Sequence, residues 1–119
     1  MKRDEVYLKH ILGAIQSIGQ YLGPIKSYDQ FLLRENKMIC DAVVRQLEII
    51  GEAAKNLSEK TRGKENTLPW KEIAGMRDKL IHEYFEVDLE IVWSTVKEDL
   101  PPLKNFIEKM LSGQQNLSS

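Results

Sequence analysis

Apolar side chains recur every three or four residues along nearly the whole chain, and this period restricts the fold more than any other feature. Leu8, Ile11, Leu12, Ile15, Ile18 and Leu22 make one stripe on a helix expected from about Asp4 to Leu22, with Tyr7, Ala14 and Tyr21 widening it. Ile39, Val43, Leu47, Ile50, Ala54 and Leu57 make a second stripe on the longest expected helix, about Asn36 to Glu59. Val44, Ile49 and Ala53 extend it to another face, so this helix should be central and packed on both sides. No useful stretch alternates polar and apolar residues with a period of two, and no internal repeat is present. The pattern predicts an all-α fold, an up-and-down bundle of four main helices plus a short one.

Helix punctuation divides the chain further. Gly23-Pro24 should end the first helix, and Ser27 should cap a short helical turn through Leu33. Gly13 and Gly19 each cost about 1 kcal/mol relative to Ala, and are expected to repay it by close approach of a neighbouring helix. The small residues of Gly51-Glu52-Ala53-Ala54 suggest the same. Thr61 to Pro69 reads as a loop, and the next helix is expected over about Trp70 to Tyr84, with Ile73, Met76, Leu80 and Ile81 on its apolar side. Asp88 can cap a last helix whose stripe is Leu89, Val92, Val96, Leu100, Leu103, Phe106 and Met110. Pro101-Pro102 should kink or break it.

At 119 residues the chain has room for one domain, placed at residues 1–111, and the polar stretch 112–119 is expected to be a disordered tail. A core of this size buries only about two thirds of the unfolded surface, which favours association. The net charge of −1 disfavours a non-specific coater of nucleic acid while leaving room for a local basic groove. Lys55, Lys60, Arg62 and Lys64 form a loose basic cluster, read as solvated surface. The single cysteine, Cys40, excludes an internal disulfide and suits a reducing compartment. The charged start, Met1-Lys2-Arg3-Asp4-Glu5, leads into no long apolar run, and no stretch reaches the roughly 18 apolar residues of a membrane span. A cytoplasmic protein without membrane partners is expected.

Few residues can carry chemistry. The only histidines are His10 and His82. With one cysteine and no His-x-x-x-His or repeated Glu-x-x-His, neither a zinc nor a di-metal site is expected, and no cofactor motif is present. A phosphate-binding glycine-rich loop is absent. What remains is Arg77-Asp78-Lys79-Leu80-Ile81-His82-Glu83-Tyr84. On one regular helix Asp78 and His82 would share a face, so Asp78 could orient the imidazole or raise its pKa. Arg77 and His82 would not share one: five steps of about 100° leave roughly 140° between them. To converge on one phosphate they need the helix to end near His82, or a second copy of the chain. The chemistry that suits such a pair is RNA cleavage without a metal. The imidazole moves a proton near neutral pH, the guanidinium neutralises the scissile phosphate, and the RNA's own 2′-hydroxyl is the nucleophile. On these residues alone, an exposed charged helix face is the simpler reading of Arg77, Asp78 and His82. Tyr84 is then a half-buried aromatic, His10 a surface residue, Trp70 and Trp93 packing anchors, and Cys40 a small buried apolar group.

The segment Arg77 to Tyr84 resembles the Arg-x-x-x-x-His-x-Tyr motif of the HepT-type toxins in the HEPN superfamily. Asp4-Glu5-Val6-Tyr7-Leu8, Leu47 to Lys55, Pro69-Trp70, Ile73 to Arg77 and Val87 to Trp93 also resemble that family's recurring blocks, covering the chain to about Leu111. The resemblance implies a helical-bundle protomer in a homodimer whose two motifs face each other across a cleft. It implies Arg77 and His82 as the catalytic pair of a metal-independent endoribonuclease toxin acting on tRNA or messenger RNA, with Asp78 as the arginine's polar neighbour. It implies a minimal nucleotidyltransferase antitoxin that transfers AMP onto the motif tyrosine, here Tyr84. A bulky anion there would repel RNA. Asp78 stands where asparagine is also common in the family, and its negative charge should make the cleft less attractive to phosphate. The competing expectation is a non-catalytic HEPN subunit that binds a nucleotidyltransferase or a nucleotide and cuts nothing.

Overall fold

The first apolar stripe becomes α1, Lys2–Leu22, and the second becomes α3, Lys37–Lys55. Between them lie α2, Tyr28–Phe31, and a single 3-10 turn, Arg34–Asn36. After α3 come two short helices, α4 (Glu59–Gly63) and α5 (Trp70–Ala74), and a two-stranded antiparallel ribbon, β1 (Ile81–Glu83) with β2 (Glu86–Val87). The chain closes with α6 (Leu89–Ser94), a π-helical turn (Thr95–Asp99) and α7 (Leu100–Ser118). The computed structural model describes the backbone of residues 2–76, 78, 81–83 and 86–118, and the side chains of residues 3–76, 78 and 87–113. The fold is thus an all-α bundle with one small ribbon added.

Packing follows the stripes. α1 lies along α3, α5 packs on the other side of α3, and α7 returns along α1. Leu8, Ile11, Val43, Leu47, Ile50, Leu103 and Ile107 of these helices, with Val92 of α6, are almost completely buried. Each such side chain contributes about 1.5–3 kcal/mol on leaving water. Phe31 is fully buried, its ring 5.2 Å from that of Trp93, while the Cys40 thiol donates to the Phe31 carbonyl at 3.2 Å. These contacts tie α2 to α3 and α6.

Local chemistry sets several helix ends. Ser27 Oγ accepts from the Gln30 amide at 3.2 Å and starts α2. Asp88 Oδ1 accepts from the amides of Glu90 and Ile91, both at 3.1 Å, and starts α6. The long central helix stops at Asn56, short of the expected Glu59, because Ser58 begins a new helix by accepting from the Thr61 amide. Part of the expected Thr61–Pro69 loop is therefore α4.

The two prolines do not break the last helix. They sit in the first turn of α7, and the π-helical turn immediately before them absorbs the conflict. A proline ring collides with the carbonyl four residues earlier, and a wider turn at Lys97 and Glu98 moves those carbonyls away. α7 runs on to Ser118, past the position where falling hydrophobicity predicts the ordered domain to end. Gly13 and Gly19 differ from expectation as well: a Cβ at either would meet no neighbour within 4 Å, so neither admits a helix. Among the described residues, no helix is long and apolar enough to cross a membrane.

Candidate active site

The segment that leads into Arg77 is held by three side chains spaced three apart. Trp70, Ile73 and Met76 all turn inward and are 9%, 1% and 2% exposed. Trp70 is fixed twice over. Its Nε1 donates to the Glu65 carbonyl at 2.9 Å, and its ring meets Phe106 edge to face at 5.5 Å. Ile73 and Met76 seat against α3 at Gly51. A Cβ on Gly51 would lie 3.1 Å from the Ile73 carbonyl oxygen and 3.3 Å from Met76 Cβ. The small-residue run of α3 thus does admit a close neighbour, and that neighbour is α5 of the same chain.

Beyond Met76 the structure departs from the single helix expected over Trp70 to Tyr84. α5 ends at Gly75, Asp78 is helical and exposed, and by Ile81 the chain is a strand. Ile81 pairs with Val87 and Glu83 with Glu86, with an irregularity in register between Ile81 and Glu83. Glycine at position 75 weakens the helix, and the β-branched and aromatic residues of Ile81 to Val87 suit a ribbon. Arg77 and Tyr84 lie outside the described residues; of His82 the backbone, in β1, is described and the side chain is not.

This break has two consequences. The shared helical face of Asp78 and His82 does not exist, because His82 lies in β1. The separation of roughly 140° between Arg77 and His82 presumes one regular helix through His82, and so does not apply. Among its described residues the motif holds a helical Asp78 and a strand at Ile81–Glu83.

A polar clamp that sequence reasoning missed braces the other end of this region. Asp4 in the first turn of α1 is 5% exposed, and it accepts from the Ser58 amide at 3.0 Å and from the hydroxyls of Ser58 and Thr61, both at 2.5 Å. Burial by itself pushes this carboxyl up, but the hydrogen bonds from Ser58 and Thr61 outweigh it and hold Asp4 below its ordinary 3.8. The acid sits 54 residues from Ser58 in sequence, so no local pattern announces the pair.

Two further concavities mark the surface. Leu32 and Leu33 are exposed and share a concavity with Cys40, Val87 and Leu89 beside the ribbon. Burial, and to a lesser degree the nearby Asp41, raise the Cys40 thiol above its ordinary value, so it is an inert packing group. Between α1 and α3 runs a groove of about 330 Å³ with Tyr7, His10, Arg45, Glu48 and Glu52 on its walls. His10 is exposed, its ring edge-on to Tyr7 at 6.3 Å.

A helical bundle around a central α3, in a chain that carries an Arg-x-x-x-x-His-x-Tyr segment, fits the HEPN class that the sequence resembles. The family model described as "Ribonuclease HepT-like" matches residues 11–110. The chain is 45% identical over 111 residues to the "Probable ribonuclease HepT" of Thermococcus cleftensis, covering 92% of this chain and 98% of that one. It is 43% identical over 115 residues to a "Putative RNase" of Caldanaerobacter subterraneus subsp. tengcongensis, covering 97% of this chain and all of the relative. A protein of Methanocaldococcus jannaschii named "Gamma-glutamylcyclotransferase and putative RNase" is 48% identical over 112 residues, and this chain spans about half (49%) of its length. No solved structure gives a significant match. The chain belongs to the HepT-like ribonuclease family of the HEPN superfamily.

Proposed function

We propose that this protein is the toxin of a toxin–antitoxin system, a metal-independent endoribonuclease that cuts tRNA or messenger RNA as a homodimer. What supports the reading is the strand at Ile81–Glu83: His82 lies outside any regular helix, so the helical spacing that would set it opposite Arg77 does not apply. In the proposed reaction Arg77 pairs with the scissile phosphate through its planar fork of donors. The 2′-hydroxyl attacks phosphorus, and the bond to the 5′-oxygen breaks. His82 takes the proton of the attacking hydroxyl or delivers one to the leaving oxygen. The products are a 2′,3′-cyclic phosphate and a 5′-hydroxyl. Asp78, exposed just after Arg77, tempers the positive field without engaging the substrate.

Exposed Leu32, Leu33 and Met38, near the concavity beside the ribbon, support association of two copies on the side of the motif. A nucleotidyltransferase antitoxin silences the enzyme by placing AMP on Tyr84. The added anion repels the RNA backbone and fills the approach to His82. The test is incubation of purified protein with tRNA and messenger RNA in excess EDTA, after intact mass has excluded modified Tyr84. Cleavage that leaves cyclic-phosphate ends supports the proposal. Intact RNA under all these conditions would favour a non-catalytic HEPN subunit that binds a nucleotidyltransferase or a nucleotide.

A further inference from the structure

Charge is spread unevenly along this chain. Between Lys55 and Glu72 stand five cations, Lys55, Lys60, Arg62, Lys64 and Lys71, against three carboxylates, a local positive surplus in a protein whose net charge is −1. The fold brings two of these cations to one place. Arg62 of α4 and Lys71 of α5 line one concavity of about 470 Å³, together with Asn66, Pro69 and Trp70. Lys60 and Lys64 are exposed on either side of Arg62 in sequence.

Glu59 and Glu72 reach the same concavity, yet among the described residues neither forms an ion pair with Arg62 or Lys71. Arg62 is half-buried and its Nε is shielded from water without an acceptor. Glu59 and Glu72 offset part of its field, but with no carboxylate bonded to it among the described residues the guanidinium is available to an anion. Trp70 is committed to Phe106 and offers no open face for a base, so the concavity suits a backbone phosphate better than a stacked nucleobase.

The position ties this concavity to the motif. α5 starts here and leads into Arg77, six residues after Lys71. Even a fully extended chain spans only about 21 Å over six residues. With about 7 Å of side chain added at each end, phosphates held by Lys71 and Arg77 lie within about ten nucleotides of each other, taking 3.4 Å per nucleotide of a helical strand.

We propose that Arg62 and Lys71, flanked by Lys60 and Lys64, form a subsite for the RNA backbone that positions the substrate to one side of the scissile bond. The proposal rests on the ribonuclease reading and extends it to where the rest of the RNA lies. Binding of single-stranded RNA to cleavage-silent His82→Ala protein, measured across a salt series, tests it. Adding Arg62→Gln and Lys71→Gln should lower the slope of log affinity against log salt by about 1.4, at about 0.7 per lost phosphate contact, and weaken binding roughly tenfold. Lys9→Gln with Lys37→Gln, removing cations already paired with Glu5 and Asp41, should leave the slope alone. The exposed single change Lys71→Glu guards against misfolding of the Arg62 variant and should also weaken binding. In the active enzyme the Arg62/Lys71 double change should raise KM for long RNA with little change in kcat. An unchanged slope and KM, in protein that still cuts RNA, overturns the subsite and leaves the ribonuclease reading standing. Wild-type protein that neither binds nor cuts RNA overturns both.

Discussion

Replacing Gly51 with alanine sets two known effects against each other. In mid-helix the change should stabilise α3 by about 1 kcal/mol, because glycine gives up more backbone freedom than alanine. The new methyl, however, would sit 3.1 Å from the Ile73 carbonyl oxygen, 3.3 Å from Met76 Cβ and 3.6 Å from the Ala74 carbonyl oxygen. Comfortable contact begins near 3.5 Å, so α5 must retreat by a few tenths of an ångström. Two of the three neighbours are main-chain atoms and cannot swing aside. Overpacking of this kind costs about 1–3 kcal/mol, so the net change is a loss of about 0–2 kcal/mol. Gly51→Val, with two more methyl groups and little gain in propensity, should lose about 3 kcal/mol or more. Gly13→Ala and Gly19→Ala are the controls. With no atom within 4 Å they should show only the gain, about 1 kcal/mol each. Urea denaturation separates the four variants. Cleavage should fall further than stability in Gly51→Ala, by about 3- to 10-fold, because the displaced segment carries Arg77 and 1 Å of misplacement costs about 100-fold. Gly51→Ala as stable as Gly13→Ala, with full activity, would refute the close-approach argument.

Asp4→Ala removes the acceptor of three hydrogen bonds and should cost about 2–4 kcal/mol, read as a lower thermal midpoint. The folded protein holds Asp4 below its ordinary 3.8, so this stabilisation is present in full above that value and fades as pH falls through the lower folded-state value. Thermal midpoints measured from pH 6 downward should therefore drop more steeply for wild type than for Asp4→Asn. Cys40 is buried with a raised pKa, so an alkylating reagent at neutral pH should modify it only at the rate of unfolding; immediate modification of native protein would contradict its placement.

What was legible in the sequence was local. Ser27 and Asp88 announce helix starts because a side-chain oxygen reaches an amide two or three residues away. The stripes of α1, α3 and α7 are legible because each repeats over several turns. The end of α5 was not. Leu80 and Ile81 fit a helical stripe and a strand equally, and a short apolar pair does not choose between the periods. The Asp4–Ser58 clamp and the meeting of Arg62 with Lys71 are tertiary facts, made by chain segments that carry no mark of each other. Glycines divide the same way: Gly13 and Gly51 look alike in the sequence, yet only Gly51 has a neighbour against it. The Arg77–Tyr84 segment was singled out by its residue types and by resemblance, while the strand that holds Ile81 to Glu83 emerged only from the fold.

The most direct test of the account compares initial rates of tRNA cleavage by wild type, His82→Ala and Arg77→Ala, each verified as folded and unmodified, in excess EDTA. Loss of about 100- to 10,000-fold in His82→Ala, the range for removing a general acid or base, with a comparable loss in Arg77→Ala, is the predicted result. Equal cleavage by all three proteins would contradict it and place the activity at another site or in a contaminant.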